Sequence, residues 1–175
     1  MSLLNSFNKV FIMGIGGSGM SSIAKYLKQK GYRVEGYDQR ISYITNILEN
    51  DGVRTYQNYE DFIYEKDVLY IISSAVNLNN TFLKNFKKNK NVISRPNFFR
   101  ELSNEKDIIG ITGTHGKTST TALVSHIFQF NNKNVSFIYG GVSSFGYLGG
   151  HCGEDNLPLI PVSYTHLTLP TSTHG

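Results

Sequence analysis

The chain of 175 residues contains no tryptophan, four prolines and a single cysteine, Cys152. One cysteine cannot form a disulfide within the chain, which is typical of proteins in a reducing compartment, so the sequence predicts a cytoplasmic location. A continuous apolar run of about 18 residues is also absent, so no membrane span or membrane partner is predicted. The length is sufficient for one ordinary domain and part of a second.

Acidic residues are the scarcer charge, because 13 Asp and Glu stand against 17 Lys and Arg, giving a net charge of +4. Part of the basic excess lies in an asparagine-rich segment at Lys84, Lys87, Lys88 and Lys90. Such a run is more typical of a solvated helix end than of a nucleic-acid surface. The sequence therefore predicts no nucleic-acid partner.

Short apolar segments alternate with segments of helical periodicity along the first hundred residues. Strands are expected at residues 10–13, 33–37, 68–72 and 92–93, and helices over 20–27, around 44–48, over 82–88 and over 96–102. This alternation predicts an α/β fold, namely a Rossmann-like doubly wound parallel sheet with helices on both faces.

A polar segment at residues 103–106 interrupts the alternation and is interpreted as a linker. The pattern then restarts with a strand at 107–112, a glycine loop, a helix at 117–130 and a strand at 135–138. The predicted organisation is a first domain at residues 1–104 and the start of a second, P-loop α/β domain at 105–160. Residues 161–175 carry no acidic or basic side chain apart from histidine and are interpreted as a non-native or disordered tail.

The first glycine loop, residues 14–19, has the sequence G-I-G-G-S-G between a predicted strand and a predicted helix. Glycines allow backbone N–H groups to approach a pyrophosphate at a helix N-terminus, where the helix dipole favours anions. Asp38 follows 19 residues after Gly19, where a carboxylate could bind ribose hydroxyls. The loop alone leaves open whether the ligand is NAD, FAD or a UDP-sugar, or whether it is a turn without a ligand.

The second glycine loop, residues 112–118, has the sequence T-G-T-H-G-K-T and is a variant of the P-loop, because the pattern G-x-x-x-x-G-K-[ST] would place glycine at Ile111. Its backbone N–H groups could form an anion nest. Lys117 could reach the β- and γ-phosphates of a nucleotide, and the Thr118 hydroxyl could contact Mg²⁺. This loop therefore predicts a nucleoside triphosphate site.

The two loops in this order resemble those of the Mur ligases, which add amino acids to the UDP-muramic acid precursor of bacterial peptidoglycan. The resemblance rests on G-T-H-G-K-T-S-T-T at residues 113–121, G-I-G-G-S-G-M-S at 14–21, S-S-A-V at 73–76, the stretch 94–102, and Gly140 with Gly141. It implies ATP and Mg²⁺ as cofactors, with Lys117 catalytic and Thr118 near the metal. The implied UDP-sugar contacts are Gly16, Gly17, Ser18, Gly19, Asp38 and Ser74, and the implied ATP contacts are Gly113, Thr114, His115, Gly116, Lys117, Thr118 and Ser119.

The resemblance implies ligation of L-alanine to UDP-N-acetylmuramate through an acyl phosphate. The acidic magnesium-binding segment of the family does not follow Ile160, so this chain is expected to be an inactive fragment of a longer ligase. Three alternatives stay open: a sister ligase that attaches recycled murein tripeptide, a nicotinamide-dependent dehydrogenase, and a UDP-sugar-binding module without catalysis. The dehydrogenase would explain the first loop and Asp38 but would leave Gly116-Lys117-Thr118 without a role.

Overall fold

The computed structural model describes residues 3–76, 89–143 and 147–162. Within them, five parallel strands form a first sheet in the order β3-β2-β1-β4-β5, with short 3₁₀ turns at Leu4–Ser6 and Tyr59–Asp61. The elements of this part are β1 (Lys9–Met13), α1 (Ser18–Gln29), β2 (Arg33–Tyr37), α2 (Tyr43–Asn50), β3 (Arg54–Tyr56), β4 (Val68–Ile72), β5 (Val92–Ser94) and α3 (Arg95–Ser103).

The side chains of the central strands β1 and β4 alternate between the two faces of this sheet, as the period of a β-strand requires. Val10 and Ile12 join a cluster that includes apolar residues of α1, α2 and α3. Phe11 and Met13 point to the opposite face, where they pack among aromatic side chains including Tyr37 and Phe62. Both faces are buried, which explains why β1 and β4 are almost continuously apolar.

Local signals set the helix boundaries. α2 begins with a capping box in which Ser42 and Thr45 exchange side-chain to backbone hydrogen bonds. α3 begins after Ser94, whose hydroxyl accepts from the N–H of Asn97, with proline in the first turn. Past the end of α1, Gly31 adopts a φ of +99°, a conformation that glycine allows.

A second, smaller sheet follows, and within the described residues it contains three strands in the order β7-β6-β8. β6 runs antiparallel to β7 and parallel to β8. A long helix, α4, precedes these strands and buries only Thr121 and Ser125, whereas Leu123, Ile127 and Phe130 are exposed. The elements are α4 (Lys117–Phe130), β6 (Ser136–Val142), β7 (Leu148–His151) and β8 (Leu159–Pro161).

The second sheet packs against α1 of the first. Ser22 donates a hydrogen bond to the carbonyl of Tyr139 at 2.7 Å. A Cβ added to Gly150 would lie 1.9 Å from the carbonyl oxygen of Ser22, so the backbones of β7 and α1 are in direct contact. Ile138 and Leu148 belong to the same buried cluster as the residues of α1. One continuous core therefore connects the two sheets.

The segment interpreted as a linker is anchored at its end. Glu105 pairs with Lys30 near the end of α1. Lys106 is buried and donates to the hydroxyl of Ser136 at 3.2 Å and to the carbonyl of Glu154 at 2.7 Å. These contacts fix the chain where it passes from the first sheet to the second.

The structure confirms the predicted elements β1, β2, β4, β5 and β6 and the four helices α1 to α4, and it adds β3, β7 and β8, which the sequence pattern did not indicate. The predicted strand at 107–112 is present only in part, as two isolated parallel bridges beside β8, from Ile108 to Leu159 and from Ile111 to Val162. The N–H groups of Ile109 and Ile111 both donate to carbonyls of β8, but Pro161 has no N–H with which to return a bond, so the pairing is interrupted there. The predicted helix at 82–88, three of the four lysines of the basic run, and residues 163–175 lie outside the described residues.

None of the helices within residues 3–76, 89–143 and 147–162 has the length and apolar character of a bilayer-spanning segment.

Candidate functional site

The first glycine loop forms a tight corner between β1 and α1. Gly14 has a φ of +80°, and the N–H groups of Gly14 and Ile15 both donate to the carbonyl of Tyr37, at 2.7 and 3.0 Å. The N–H of Gly17 then donates to the carbonyl of Gly14 at 3.1 Å. These bonds tie the loop to the carboxyl end of β2, the edge at which ligands bind in open α/β sheets.

Asp38, the predicted ribose ligand, is bonded to the loop itself. Its Oδ2 accepts from the N–H of Gly16 at 2.8 Å and its Oδ1 accepts from the N–H of Arg40 at 3.1 Å. A Cβ added to Gly16 would lie 2.8 Å from the same Oδ2, so a side chain at this position would displace the Asp38 carboxylate. Each carboxylate oxygen retains further acceptor capacity, so the structural role of Asp38 is compatible with a hydroxyl ligand.

The segment that contains Ser74 lies at the carboxyl end of β4. Ser73 is the residue in contact with the first loop, since its Cβ would be 3.0 Å from a Cβ added to Gly14. Its N–H also donates to the carbonyl of Met13 at 3.1 Å. Ser74 follows in an exposed turn at the same edge of the sheet, which leaves its hydroxyl accessible from solvent.

The N-terminus of α1 is framed by two residues that are distant in sequence. Gly17 is the N-cap and provides no side-chain hydrogen bond, and the first turn of α1 holds no acidic residue. A Cβ added to Gly140 of β6 would lie 3.2 Å from the Ser18 hydroxyl. A Cβ added to Gly19 would lie 2.5 to 2.7 Å from the guanidinium of Arg95, which begins α3. Neither contact was predicted, because local sequence patterns do not reveal which distant residues meet.

The second glycine loop forms a corner ahead of α4. Gly113 and Gly116 adopt φ values of +148° and +73°, and Gly116 is the N-cap of the helix. The Lys117 ammonium folds back over the loop and donates to the carbonyls of Gly113 at 2.6 Å and Thr114 at 3.1 Å. A cation therefore sits across a loop of backbone groups at a helix N-terminus whose first turn carries no acidic residue.

The remaining predicted ATP contacts are accessible. His115, Thr118 and Ser119 are exposed, together with Thr114 and Gly116. A Mg²⁺ ion at a nucleotide site is typically held by one or two protein oxygens, phosphate oxygens and water, so the single hydroxyl of Thr118 fits a peripheral role of this kind. Within the described residues no cluster of three or more His, Cys, Asp or Glu could hold a metal by itself.

The segment around Cys152 lacks the properties of a reactive site. Burial raises the pKa of the Cys152 thiol, against the opposing charges of Lys106 and Lys30. Burial lowers the pKa of His151, which favours the neutral imidazole, and this ring is hydrogen-bonded to Asn134. A thiol whose pKa is raised by burial is a poor nucleophile.

Comparison with known proteins points to one family. The model described as "Mur ligase family, catalytic domain" matches residues 9–107, a range that contains the first loop and ends before the second. The UDP-N-acetylmuramate–L-alanine ligase of Christiangramia forsetii is 34% identical over 155 residues, which cover 82% of this chain and 33% of that protein. The ligase of the same name from Ruthia magnifica is 34% identical over 158 residues, covering 89% of this chain and 34% of that protein.

Two solved ligase structures resemble this chain. The UDP-N-acetylmuramate–alanine ligase of Thermotoga maritima superposes with a TM-score of 0.74 at 28% identity, covering 87% of this chain and 36% of that one. The UDP-N-acetylmuramate:L-alanyl-gamma-D-glutamyl-meso-diaminopimelate ligase of Neisseria meningitides also gives 0.74, at 22% identity, with coverage of 90% and 52%. At that identity the second likeness shows the fold alone. The chain spans about a third of the length of the curated relatives it matches.

Proposed function

The chain belongs to the Mur ligase family, and from this premise we propose that it is part of an ATP-dependent ligase that joins L-alanine to UDP-N-acetylmuramate. Two kinds of observation support the proposal. The first is the name shared by relatives that are about a third identical over most of the chain. The second is the presence of two glycine loops, one before α1 and one before α4. Each loop leads into a helix N-terminus, which is suited to phosphate groups.

At the first corner, the proposed ligand is the diphosphate of UDP-N-acetylmuramate. The N–H groups of Ser18 and Gly19 are at the start of α1 and have no partner within the helix, as holds for the first turn of any α-helix. The N–H groups of Gly16 and Gly17 are already bonded within the loop, but these residues carry no side chain that would keep phosphate oxygens from the start of α1. Asp38, which fixes Gly16, supplies the nearby carboxylate for ribose hydroxyls.

At the second corner, the proposed ligand is the triphosphate of ATP. Lys117 reaches over the loop and makes hydrogen bonds to two exposed carbonyls, which phosphate oxygens can replace as stronger, charge-assisted acceptors. When bound, Mg²⁺ supplies charge neutralisation between the phosphates. Lys117 would stabilise the charge that develops as the terminal phosphoryl group transfers to the lactyl carboxylate.

The proposed reaction takes place in two steps. The carboxylate oxygen forms a bond to the terminal phosphorus of ATP as the bond to ADP breaks, giving an acyl phosphate. The amine of alanine then attacks the acyl carbon, the carbon–oxygen bond to phosphate breaks, and the nitrogen loses a proton. The products are an amide, ADP and phosphate, and the residues of this chain serve binding and charge stabilisation in the first step.

The proposal is tested by calorimetric titration of the purified chain with UDP-N-acetylmuramate and, separately, with NADH. We expect saturable 1:1 binding of the UDP-sugar and none of NADH. Binding of NADH without the UDP-sugar would contradict the proposal in favour of a dehydrogenase-like site. Choosing between alanine and recycled tripeptide as the amine requires a longer protein, in which product analysis with each amine decides between the two ligases.

A further inference from the structure

The composition of α4 is that of a buried helix, although one side of it faces solvent. Between Lys117, its first residue, and Lys133, beyond its end, the sequence contains no Asp, Glu, Lys or Arg. A helix at a protein surface typically carries charged and polar residues on the face opposite the core. The helices α1, α2 and α3 follow this rule, with charged side chains such as Lys25, Glu49 and Arg100.

Three large apolar side chains lie on the solvent side of α4. Leu123, Ile127 and Phe130 are 60%, 53% and 80% exposed. Their spacing of four and three residues places them on one face of the helix. The same periodicity turns this face away from Thr121 and Ser125, the two buried residues of a helix that packs on β6 and β8. Leu123, Ile127 and Phe130 are called the outer stripe of α4 below.

The outer stripe has the chemistry of a core but not the area of a stable dimer interface. An aromatic side chain offers roughly 150–250 Å² of contact surface and an aliphatic one less. Three such side chains stay below the area of about 800 Å² per partner that a stable interface buries. Lys, Glu, Arg and Asp are almost never fully buried without a partner, so a helix without them is typical of a protein interior. These properties favour a covering segment of the same polypeptide over a second copy of this chain.

The relatives are long enough to contain such a segment. This chain aligns with 33% and 34% of the length of the two curated ligases and with 36% of the solved ligase of Thermotoga maritima. Most of each relative therefore has no counterpart among the residues of this chain.

We propose that the outer stripe is covered, in a longer ligase, by an apolar and uncharged face of polypeptide that this chain does not contain. The inference rests on the part of the proposed function that places the chain in a longer ligase, and it adds an interaction surface. The second glycine loop leads directly into α4. Cover on both sides would therefore fix the helix whose N-terminus presents this loop to the triphosphate.

The primary test measures the accessibility of the stripe. Leu123→Cys is introduced into this chain and into the longer gene product, each with Cys152→Ser, and its reaction with a maleimide is followed by mass spectrometry. In the chain we expect the rate measured for Glu60→Cys, at an exposed reference position. In the longer protein we expect labelling of Leu123→Cys to be at least roughly tenfold slower, because it requires local opening. Equally fast labelling in both proteins, or slow labelling in the chain itself, would overturn the inference.

A second test places a charge on the stripe. Ile127→Glu is compared with Gln129→Glu, an exposed position in the same last turn, so that both carboxylates experience the same helix terminus. In this chain the melting temperatures of the two variants should agree within about 2 °C, because both side chains face water. In the longer protein Ile127→Glu should melt on the order of 5 °C or more below Gln129→Glu, because its carboxylate enters a core. Equal melting temperatures there would contradict the proposed cover.

Sedimentation equilibrium of the wild-type chain tests a second copy as the occupant. We expect a monomer over the whole concentration range. A dimer that dissociates in Ile127→Glu would show that the stripe pairs with itself and would overturn the inference.

The outcomes distinguish the inference from its premise. If the longer protein protects Leu123→Cys but does not join alanine to UDP-N-acetylmuramate, the inference stands and the proposed function fails. If the longer protein catalyses this ligation while Leu123→Cys is labelled as fast as in the chain, the proposed function stands and the cover of α4 is refuted.

Discussion

The two glycine loops of this chain begin helices of similar length but have very different surroundings. Around the first loop, residues from other elements approach closely: Asp38 after β2, Ser73 after β4, Arg95 in α3 and Gly140 in β6. Around the second loop, Lys117 donates to carbonyls of the loop itself, and residues 112–116 are all exposed. The same local motif is thus embedded in a core at one corner and lies on the surface at the other.

The difference between the two loops distinguishes two contributions to a proposed anion-binding site. A glycine loop and a helix N-terminus provide backbone donors, and these depend on local sequence alone. Side chains that select one phosphorylated ligand over another come from neighbouring strands and helices, and these depend on tertiary structure. At the first corner, side chains of other elements lie against the loop, so substitutions there should affect stability together with the proposed binding. Substitutions at the second corner should affect the proposed binding alone.

The largest effect on stability is expected where the second sheet meets α1. In Gly150→Val the new Cβ would lie 1.9 Å from the carbonyl oxygen of Ser22, a backbone atom that cannot move without shifting the helix. We expect a loss of about 3 kcal/mol in the free energy of unfolding, the upper part of the usual range for overpacking. Chemical denaturation measures it. Tyr147→Ala, at an exposed side chain before β7, is the control. Equal stability of the two variants would show that the sheets do not pack as described.

An intermediate effect is expected for Asp38→Asn. The amide keeps one acceptor oxygen and places an NH₂ group against a backbone N–H, either that of Gly16 or that of Arg40. We expect a loss of about 1–2 kcal/mol, because one backbone donor loses a charged acceptor. Chemical denaturation and titration with UDP-N-acetylmuramate should both respond. Asp67→Asn, at an exposed carboxylate, should change neither; a stable Asp38→Asn with normal affinity would contradict the role of Asp38 in holding the loop.

A smaller, pH-dependent effect is expected at Glu35 in β2. Burial by itself raises the pKa of this carboxyl, but the hydrogen bond from Tyr56 and the charges of Lys9 and Arg33 outweigh it, so the net pKa is lowered from its ordinary value of 4.5. The carboxylate therefore stabilises the fold above pH 4.5, and this contribution is lost as the pH falls through the lower folded pKa.

We accordingly expect Glu35→Gln to lose on the order of 1 kcal/mol at neutral pH and less in acid. Melting temperature as a function of pH measures the difference, and Glu60→Gln, at an exposed carboxyl, is the control. A Glu35→Gln curve that stays parallel to wild type down to low pH would show that the pKa of Glu35 is not lowered by folding.

The smallest effect on stability is expected for Lys117→Ala. Its ammonium donates to two exposed carbonyls of the loop, so the free energy of unfolding should change by about 0.5 kcal/mol or less. Lys133→Ala, at an exposed lysine beyond the end of α4, is the matched control. A large destabilisation would mean that the second corner is structurally integrated like the first, which would remove the contrast between them.

The sequence predicted the elements whose signals are local. The bounds of β2, β4 and α4 agree with the prediction because apolar runs, glycines and a helix-initiating loop mark them. β3 was missed because Arg54, Thr55 and Tyr56 form a short edge strand with one buried side chain and no apolar run. The strand expected at 107–112 formed only as isolated bridges, because its partner strand contains Pro161, which lacks the N–H that continuous pairing requires.

For the candidate site, the position of each glycine loop before a helix was predictable from local sequence, and the ligand roles assigned to its residues stay predictions. Both loops and Lys117 follow from residue spacing, and the loops occupy the expected corners. Arg95 and Gly140 were not identified as parts of the first corner, because their approach to α1 is set by sheet order and by packing of the second sheet. The burial of Lys106 was likewise unexpected, since it depends on Ser136 and Glu154, which come 30 and 48 residues later.

The central claim is that the two corners hold two different phosphorylated ligands. It is tested most directly by titrating UDP-N-acetylmuramate into the chain alone and into the chain saturated with ATP, for wild type and Lys117→Ala. The account predicts one UDP-sugar site whose affinity is unchanged by ATP and by the loss of Lys117. Displacement of the UDP-sugar by ATP, or its loss in Lys117→Ala, would mean that the two ligands share one site and would contradict the account.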